Sequence, residues 1–234
     1  DFMRTMPALE SVDLAQIDNT TIPASCFKES TVKMVILPLN LEAIPDNAFS
    51  NSSIISIDIP SSVVSIGVGA FADCSDLTGI LTLPNNLRII GAAAFTYCKQ
   101  LTGNLIIPNS VVSIGQRAFA ACNGFNGFLS LGSGLTTVPL MCFERCSGFT
   151  GNLIIPDQIT TIEKFAFLDC TGFSGNLVLG TELQSIGDNS LTQKGSMSGN
   201  YYPLNFSKVY CKNSTPPALS LIHISEPTRR RGIS

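Results

Sequence analysis

The chain has 234 residues, 44% of them hydrophobic and only 13% charged, with a formal charge of -3 at pH 7. That balance supplies an ample core and argues against nucleic acid as a partner, which needs a concentrated positive surface. The apolar residues come in short runs broken by Gly, Pro, Asn and Ser, whereas a membrane-spanning helix needs about 20 in a row.

The chain opens Asp1-Phe2-Met3-Arg4 without a charged stretch leading into an apolar one, so any export signal or anchor is expected to lie outside these residues. Asp1 to Pro7 carries no capping pattern, as in a chain that begins inside a larger protein. A repeat then sets in. Phe27, Phe49 and Phe71 are spaced by 22 residues, and Phe71, Phe95, Phe119, Phe143 and Phe167 by 24. A cysteine stands three residues after each of the latter five, at Cys74, Cys98, Cys122, Cys146 and Cys170. A unit this short cannot bury its own apolar face, so successive units must stack around one shared core. The shorter early units have Ser53-Ile54-Ile55 where later ones have Leu-Thr-Gly, which places the missing residues in the connection entering the strand.

Within the unit from Leu101 to Cys122, Leu105 and Ile107 alternate with Asn104 and Ile106, the period-two signature of a strand with one buried face. Pro108 ends it by removing a backbone donor. After the Pro-Asn-Ser turn, Val112 and Ile114 are expected to point inward, with Gly115 adopting an unusual backbone angle. Ala118, Phe119 and Cys122 recur at roughly helical spacing, which predicts a short 3₁₀ or α-helical turn. The expected fold class is an α/β repeat solenoid of about eight units over residues 1–219, with parallel strands lining one side and short 3₁₀, helical or irregular segments opposite. Residues 220–234 contain Arg229-Arg230-Arg231 and no repeat position, and read as a tail foreign to the fold.

Outward strand positions form two columns. One holds Ile36, Asp58, Thr82, Ile106, Ser130, Ile154 and Val178, and the other Met34, Ser56, Ile80, Asn104, Phe128, Asn152 and Asn176. Exposed aliphatics and one aromatic bordered by polar groups mark a protein-interaction surface. The candidate ligand-binding residues are therefore Ile80, Thr82, Asn104, Ile106, Phe128, Ser130, Asn152, Ile154, Asn176 and Val178, centred on Phe128, Ile106 and Ile154. Two structural readings compete. β-branched residues favour strands in any case, and stacked asparagine amides hold a ladder together by bonding to neighbouring backbone.

Catalysis finds no foothold. The sole histidine, His223, falls in the tail, so the repeats contain no Ser-His or Cys-His pair, and Asp73, Asp169 and Asp188 are scattered. Gly67 and Gly69 lack phosphate-loop spacing. The recurrent cysteines are expected as small buried hydrophobes with free thiols; Cys26, Cys142, Cys146 and Cys211 stand off the plain pattern and are where a bridge would be sought. Only Cys142 and Cys146 approach metal-ligand spacing, without partners to close a shell. No catalytic, cofactor-binding or metal residue is assigned, and no cofactor is expected.

The pattern Leu-x-Ile-Pro-x-x-Val-x-x-Ile-Gly-x-x-Ala-Phe-x-x-Cys-x-x-Leu-Thr resembles the leucine-rich repeats of BspA-like bacterial surface proteins over about Leu9 to Leu219. Ile-Gly-x-x-Ala-Phe-x-x-Cys recurs nearly intact at Ile66 to Cys74, Ile90 to Cys98 and Ile114 to Cys122, and Val209-Tyr210-Cys211 with Thr215-Pro216-Pro217 resembles the close of such arrays. Departures are Val138-Pro139 and Ile162-Glu163 for Ile-Gly, Cys142 for the alanine before Phe143, and Gly132 and Gly180 for the proline after the strand. The resemblance implies a right-handed leucine-rich-repeat superhelix in a secreted or surface-anchored bacterial protein. It also implies adhesion to an extracellular protein, such as a host matrix protein or another surface protein. A passive spacer or assembly module, and a carbohydrate-binding module using the asparagines and Phe128, are the alternatives.

Overall fold

The structure, a computed structural model, describes residues 9–195, 200–212 and 218–219. The expected tail 220–234, with His223 and Arg229 to Arg231, lies outside them, as does Thr215-Pro216-Pro217. The repeat forms a parallel-strand β-solenoid of about seven turns. Among the described residues no helix is long and apolar enough to cross a membrane.

The turn from Leu101 to Cys122 shows how sequence becomes structure. Leu105–Ile106 is a strand in which Leu105 is buried and Ile106 exposed, and Ile107 beyond it is buried again. Pro108 accepts from the Val111 N–H at 3.1 Å, closing a turn, and a second short strand follows at Ser113–Ile114. Each turn thus feeds two ladders where the sequence suggested one. The turn at Pro108 also corrects the expected inward pair: Val111 is buried and Val112 exposed, with Ile114 inward as expected. Gly115 is glycine for a different reason from the one expected. Its φ is not positive; instead a Cβ there would collide with the backbone of Ala92 in the preceding turn.

The helical segment is also corrected: the described residues contain strands and turns only, so the array is a β-solenoid rather than α/β. Arg117, Phe119 and Ala121 donate their N–H groups to Leu140, Cys142 and Glu144 of the next turn at 3.0, 2.9 and 2.6 Å. Ala118, Ala120 and Cys122 close local turns on Gly115, Arg117 and Phe119. With alternate amides committed between turns, the i→i−4 pattern of a helix cannot form. The alternation holds Arg117 and Ala121 at φ of 58° and 60°, a region costly for residues other than Gly and Asn. Paired positions recur at Asn47 and Asn51, Ala93 and Tyr97, and Met141 and Arg145.

These bends carry the core. Phe27, Phe49, Phe71, Phe95, Phe119, Phe143 and Phe167 stack with neighbouring ring centres 5.0 to 5.7 Å apart and nearly parallel planes. The thiols of Cys98, Cys122, Cys146 and Cys170 donate to the carbonyls of Phe71, Phe95, Phe119 and Phe143 at 2.9 to 3.1 Å. Cysteine therefore supplies both apolar volume and a donor. All eight cysteines are free. Burial pushes the Cys74 thiol up to about 11 and those of Cys98, Cys122, Cys142 and Cys170 well above their ordinary value.

Both strand ladders are interrupted around the turn 125–146. In the second ladder Ala43–Ile44, Ser65–Ile66, Ile89–Ile90 and Ser113–Ile114 form one sheet, and Thr137–Val138, Thr161–Ile162, Ser185–Ile186 and Ala218–Leu219 another. Gly91 and Gly115 donate across this ladder to Ile66 and Ile90 at 2.7 and 2.8 Å; Pro139, at the equivalent position, has no N–H to give. On the strand-lined face, Leu105–Ile106 pairs with Leu129–Ser130, while Leu153–Ile154, Leu177–Leu179 and Val209–Cys211 belong to a separate sheet. Before that last strand the chain inserts an antiparallel pair, Thr192–Lys194 with Tyr201–Pro203, which the repeat pattern did not predict.

Candidate functional site

The strand-lined face exposes a broken row of apolar side chains. Met34, Ile36, Ile80, Ile106, Phe128, Ile154 and Tyr210 are all large and exposed, Ile80 most of all at 74%. Pairing sets their neighbours: Ile106 lies beside Ser130, and Ile154 beside Val178, which lies beside Tyr210. One member of the predicted columns is displaced. Ile80 pairs with Thr102 instead of standing beside Asn104, because Thr78–Ile80 meets Gln100–Thr102 two residues out of repeat phase. A two-residue slip keeps every side chain on its face, so Ile80 remains outward. Thr82 is exposed on the same turn, and Val178 and Asn176 are half-buried.

The asparagines have a defined task. Asn104 Oδ1 accepts from the Phe128 N–H at 3.0 Å, and Asn152 Oδ1 from the Asn176 N–H at 2.7 Å. The amide oxygens of Asn104 and Asn152 are thus engaged in joining turns. That geometry weakens a sugar-binding reading of this face, which uses the asparagines and Phe128, because two of the amide oxygens are already taken.

Between Leu129–Ser130 and Leu153–Ile154 the interruption opens a cavity of about 340 Å3, lined by Phe128, Leu129, Ser130, Leu131, Asn152, Ile154 and Pro156. Four of the candidate residues, Phe128, Ser130, Asn152 and Ile154, therefore meet around it, with Ile106 one turn away. Ile107 and Ile155 donate their N–H groups to Ser130 and Val178 at 2.9 and 2.8 Å, but among the described residues the Leu131 N–H makes no equivalent bond. The opening combines apolar walls with a backbone donor. Sequence reasoning missed Leu131 and Pro156, which read as ordinary core and turn positions. It also missed Tyr210 as a column member, since Val209, Tyr210 and Cys211 are all apolar and all exposed, so no alternation marked it. Among the described residues no group of three or more His, Cys, Asp or Glu side chains could hold a metal.

Comparison with known proteins gives a consistent result. The family profile described as the BspA type leucine rich repeat region matches in six copies over residues 2–126 and 89–212. A leucine-rich repeat protein from Bacteroides ovatus is 28% identical with a TM-score of 0.68, over 78% of this chain and 49% of that one. A leucine rich cell surface protein from Faecalibacterium prausnitzii (21% identity, TM-score 0.52, 88% of this chain and 60% of that one) shares the fold. So does the T. pallidum leucine rich repeat protein (23%, 0.54, 82% and 76%). The chain spans about half the length of the Bacteroides ovatus structure. No curated protein matches it.

Proposed function

The chain belongs to the BspA-type leucine-rich repeat family, and on that premise we propose that it is a non-catalytic binding module of a secreted or cell-surface bacterial protein. Its partner is another extracellular protein, such as a host matrix protein or a second surface protein, bound through the strand-lined face. The observation that supports this most is the cavity beside Phe128 and Ile154, where an exposed apolar row meets an unpaired backbone donor. An apolar centre with a polar rim is the anatomy of a protein interface, and a few large side chains at its middle dominate affinity. The Leu131 N–H, unpaired among the described residues, suits an extended segment of the partner, whose carbonyl would accept from it while a side chain fills the opening.

The test is binding of the purified chain to a panel of extracellular matrix proteins beside a Phe128→Ala/Ile106→Ala variant, with circular dichroism on both. Saturable binding lost in a folded variant supports the assignment. Binding that survives the double substitution moves the interface elsewhere. Binding to none of the panel favours a spacer role.

A further inference from the structure

A second cavity, of about 230 Å3, opens on the bends, away from the strand residues just described, with walls formed by Tyr97, Arg117, Ala121, Glu144 and Arg145 and with Thr96 at its edge. Tyr97, Ala121 and Arg145 occupy one position in three successive turns, as the 24-residue step and the bonds from Tyr97 to Ala120 and from Ala121 to Glu144 show. The small residue in the middle creates the space. Two rungs of a parallel ladder separate the aromatic wall from the guanidinium wall by about 10 Å, room for one ring between them. Tyr97, Arg117 and Arg145 sit at positive φ, of 61°, 58° and 60°, as bend residues do along the array from Ser25 and Glu29 to Phe165 and Asp169.

The charges select the ligand. Arg145 lies 3.7 Å from Glu144 and 4.0 Å from Asp169, so its charge is offset. Arg117 donates Nε–H to Met141 Sδ at 3.1 Å and has no ion pair among the described residues. Its terminal N–H groups form a fork matched to a carboxylate. The Lys99 ammonium, outside the cavity lining, lies 5.4 Å from the centre of the Tyr97 ring and adds a further cation nearby. In a chain of net charge -3 this is a locally cationic recess. Thr96 donates its hydroxyl hydrogen to the Ala120 carbonyl at 3.2 Å and so presents lone pairs outward, and the Glu144 carboxylate accepts hydrogen bonds as well. A guanidinium fork, two acceptors for hydroxyl groups and an aromatic wall around a single-ring space describe a carboxylated sugar. We propose that this cavity binds an acidic sugar residue of the uronic-acid type, its carboxylate on Arg117 and its ring beside Tyr97. The site is independent of the strand-lined face.

The experiment is an amide chemical-shift titration of the full chain with D-glucuronate, with D-glucose and with glutarate, a carboxylate without a ring. D-glucuronate shifts the amides of Tyr97, Arg117 and Ala121 saturably, with a Kd on the order of 1 mM as befits one small ring. D-glucose and glutarate bind at least about tenfold more weakly, Arg117→Gln weakens glucuronate about tenfold, and rising salt weakens it too. Ala121→Tyr fills the space and abolishes the shifts while keeping the fold, since Tyr97 already occupies that position one turn earlier. Glutarate matching glucuronate would overturn the sugar assignment and give the recess to acidic peptide side chains instead. No saturable shift with glucuronate, or binding that persists in Ala121→Tyr, overturns the proposal.

Discussion

The bends and the strand-lined face are built from the same repeat but obey different rules. Along the bends, N–H groups bridge one turn to the next from Ser25 to Asp169, and seven phenylalanines stack beneath them. The strand-lined face is divided among separate sheets and opens at Leu129 to Ile155. One side acts as a continuous spine, and the other tolerates interruption because the spine already holds the turns together. Variation in the outward residues of the face is therefore compatible with folding, which is what a binding surface requires.

The largest effect expected from breaking the spine is that of Phe119→Ala, whose ring stacks at 5.3 and 5.7 Å on Phe95 and Phe143. It should cost about 3–5 kcal/mol in a denaturant titration. Gly115→Ala, which drives a Cβ into the backbone of Ala92, should cost about 1–3 kcal/mol. At Gly151, where φ is 75° and an added Cβ would meet nothing within 4 Å, the same change carries only the backbone penalty of about 1–2 kcal/mol.

Alkali should weaken the spine through its thiols. An unfolded thiol ionises near its ordinary value of 9.0, whereas burial keeps the folded Cys122 protonated well above it. Stability is thus intact below 9.0 and falls as the pH rises, by about 1.4 kcal/mol per pH unit for each such thiol. Cys122→Ala should reduce the loss of stability between pH 9 and 10 by about 1 kcal/mol, since the unfolded thiol is half ionised at its ordinary value of 9.0. The smallest effect belongs to the face: Phe128→Ala, at a half-exposed position, should change stability by less than about 1 kcal/mol while removing binding.

Much of the spine was legible from the phenylalanine and cysteine periods, because a buried position recurs with the chemistry it needs. The bend conformation was not, since Ala118, Phe119 and Cys122 have the same spacing on a helical turn as on a bend whose alternate amides bond to the next turn. Local spacing does not reveal where an N–H goes. Val111 and Val112 are adjacent and chemically alike, so only the turn closed on Pro108 decides which is buried. The interruption was visible in part: Gly132, Pro139 and Cys142 all depart from the repeat within one turn, and Pro139 accounts for the broken second ladder. That the face opens there as well depends on backbone pairing between turns, which no single residue encodes.

Amide hydrogen exchange tests the contrast between spine and face most directly. The amides of Phe95, Phe119 and Phe143, each bonded across turns at 2.7 to 2.9 Å, should exchange only on global unfolding. The Leu131 amide should exchange orders of magnitude faster than those of Ile107 and Ile155 at the equivalent positions. Leu131 protection equal to that of Ile107 and Ile155 would show a closed face and contradict the account.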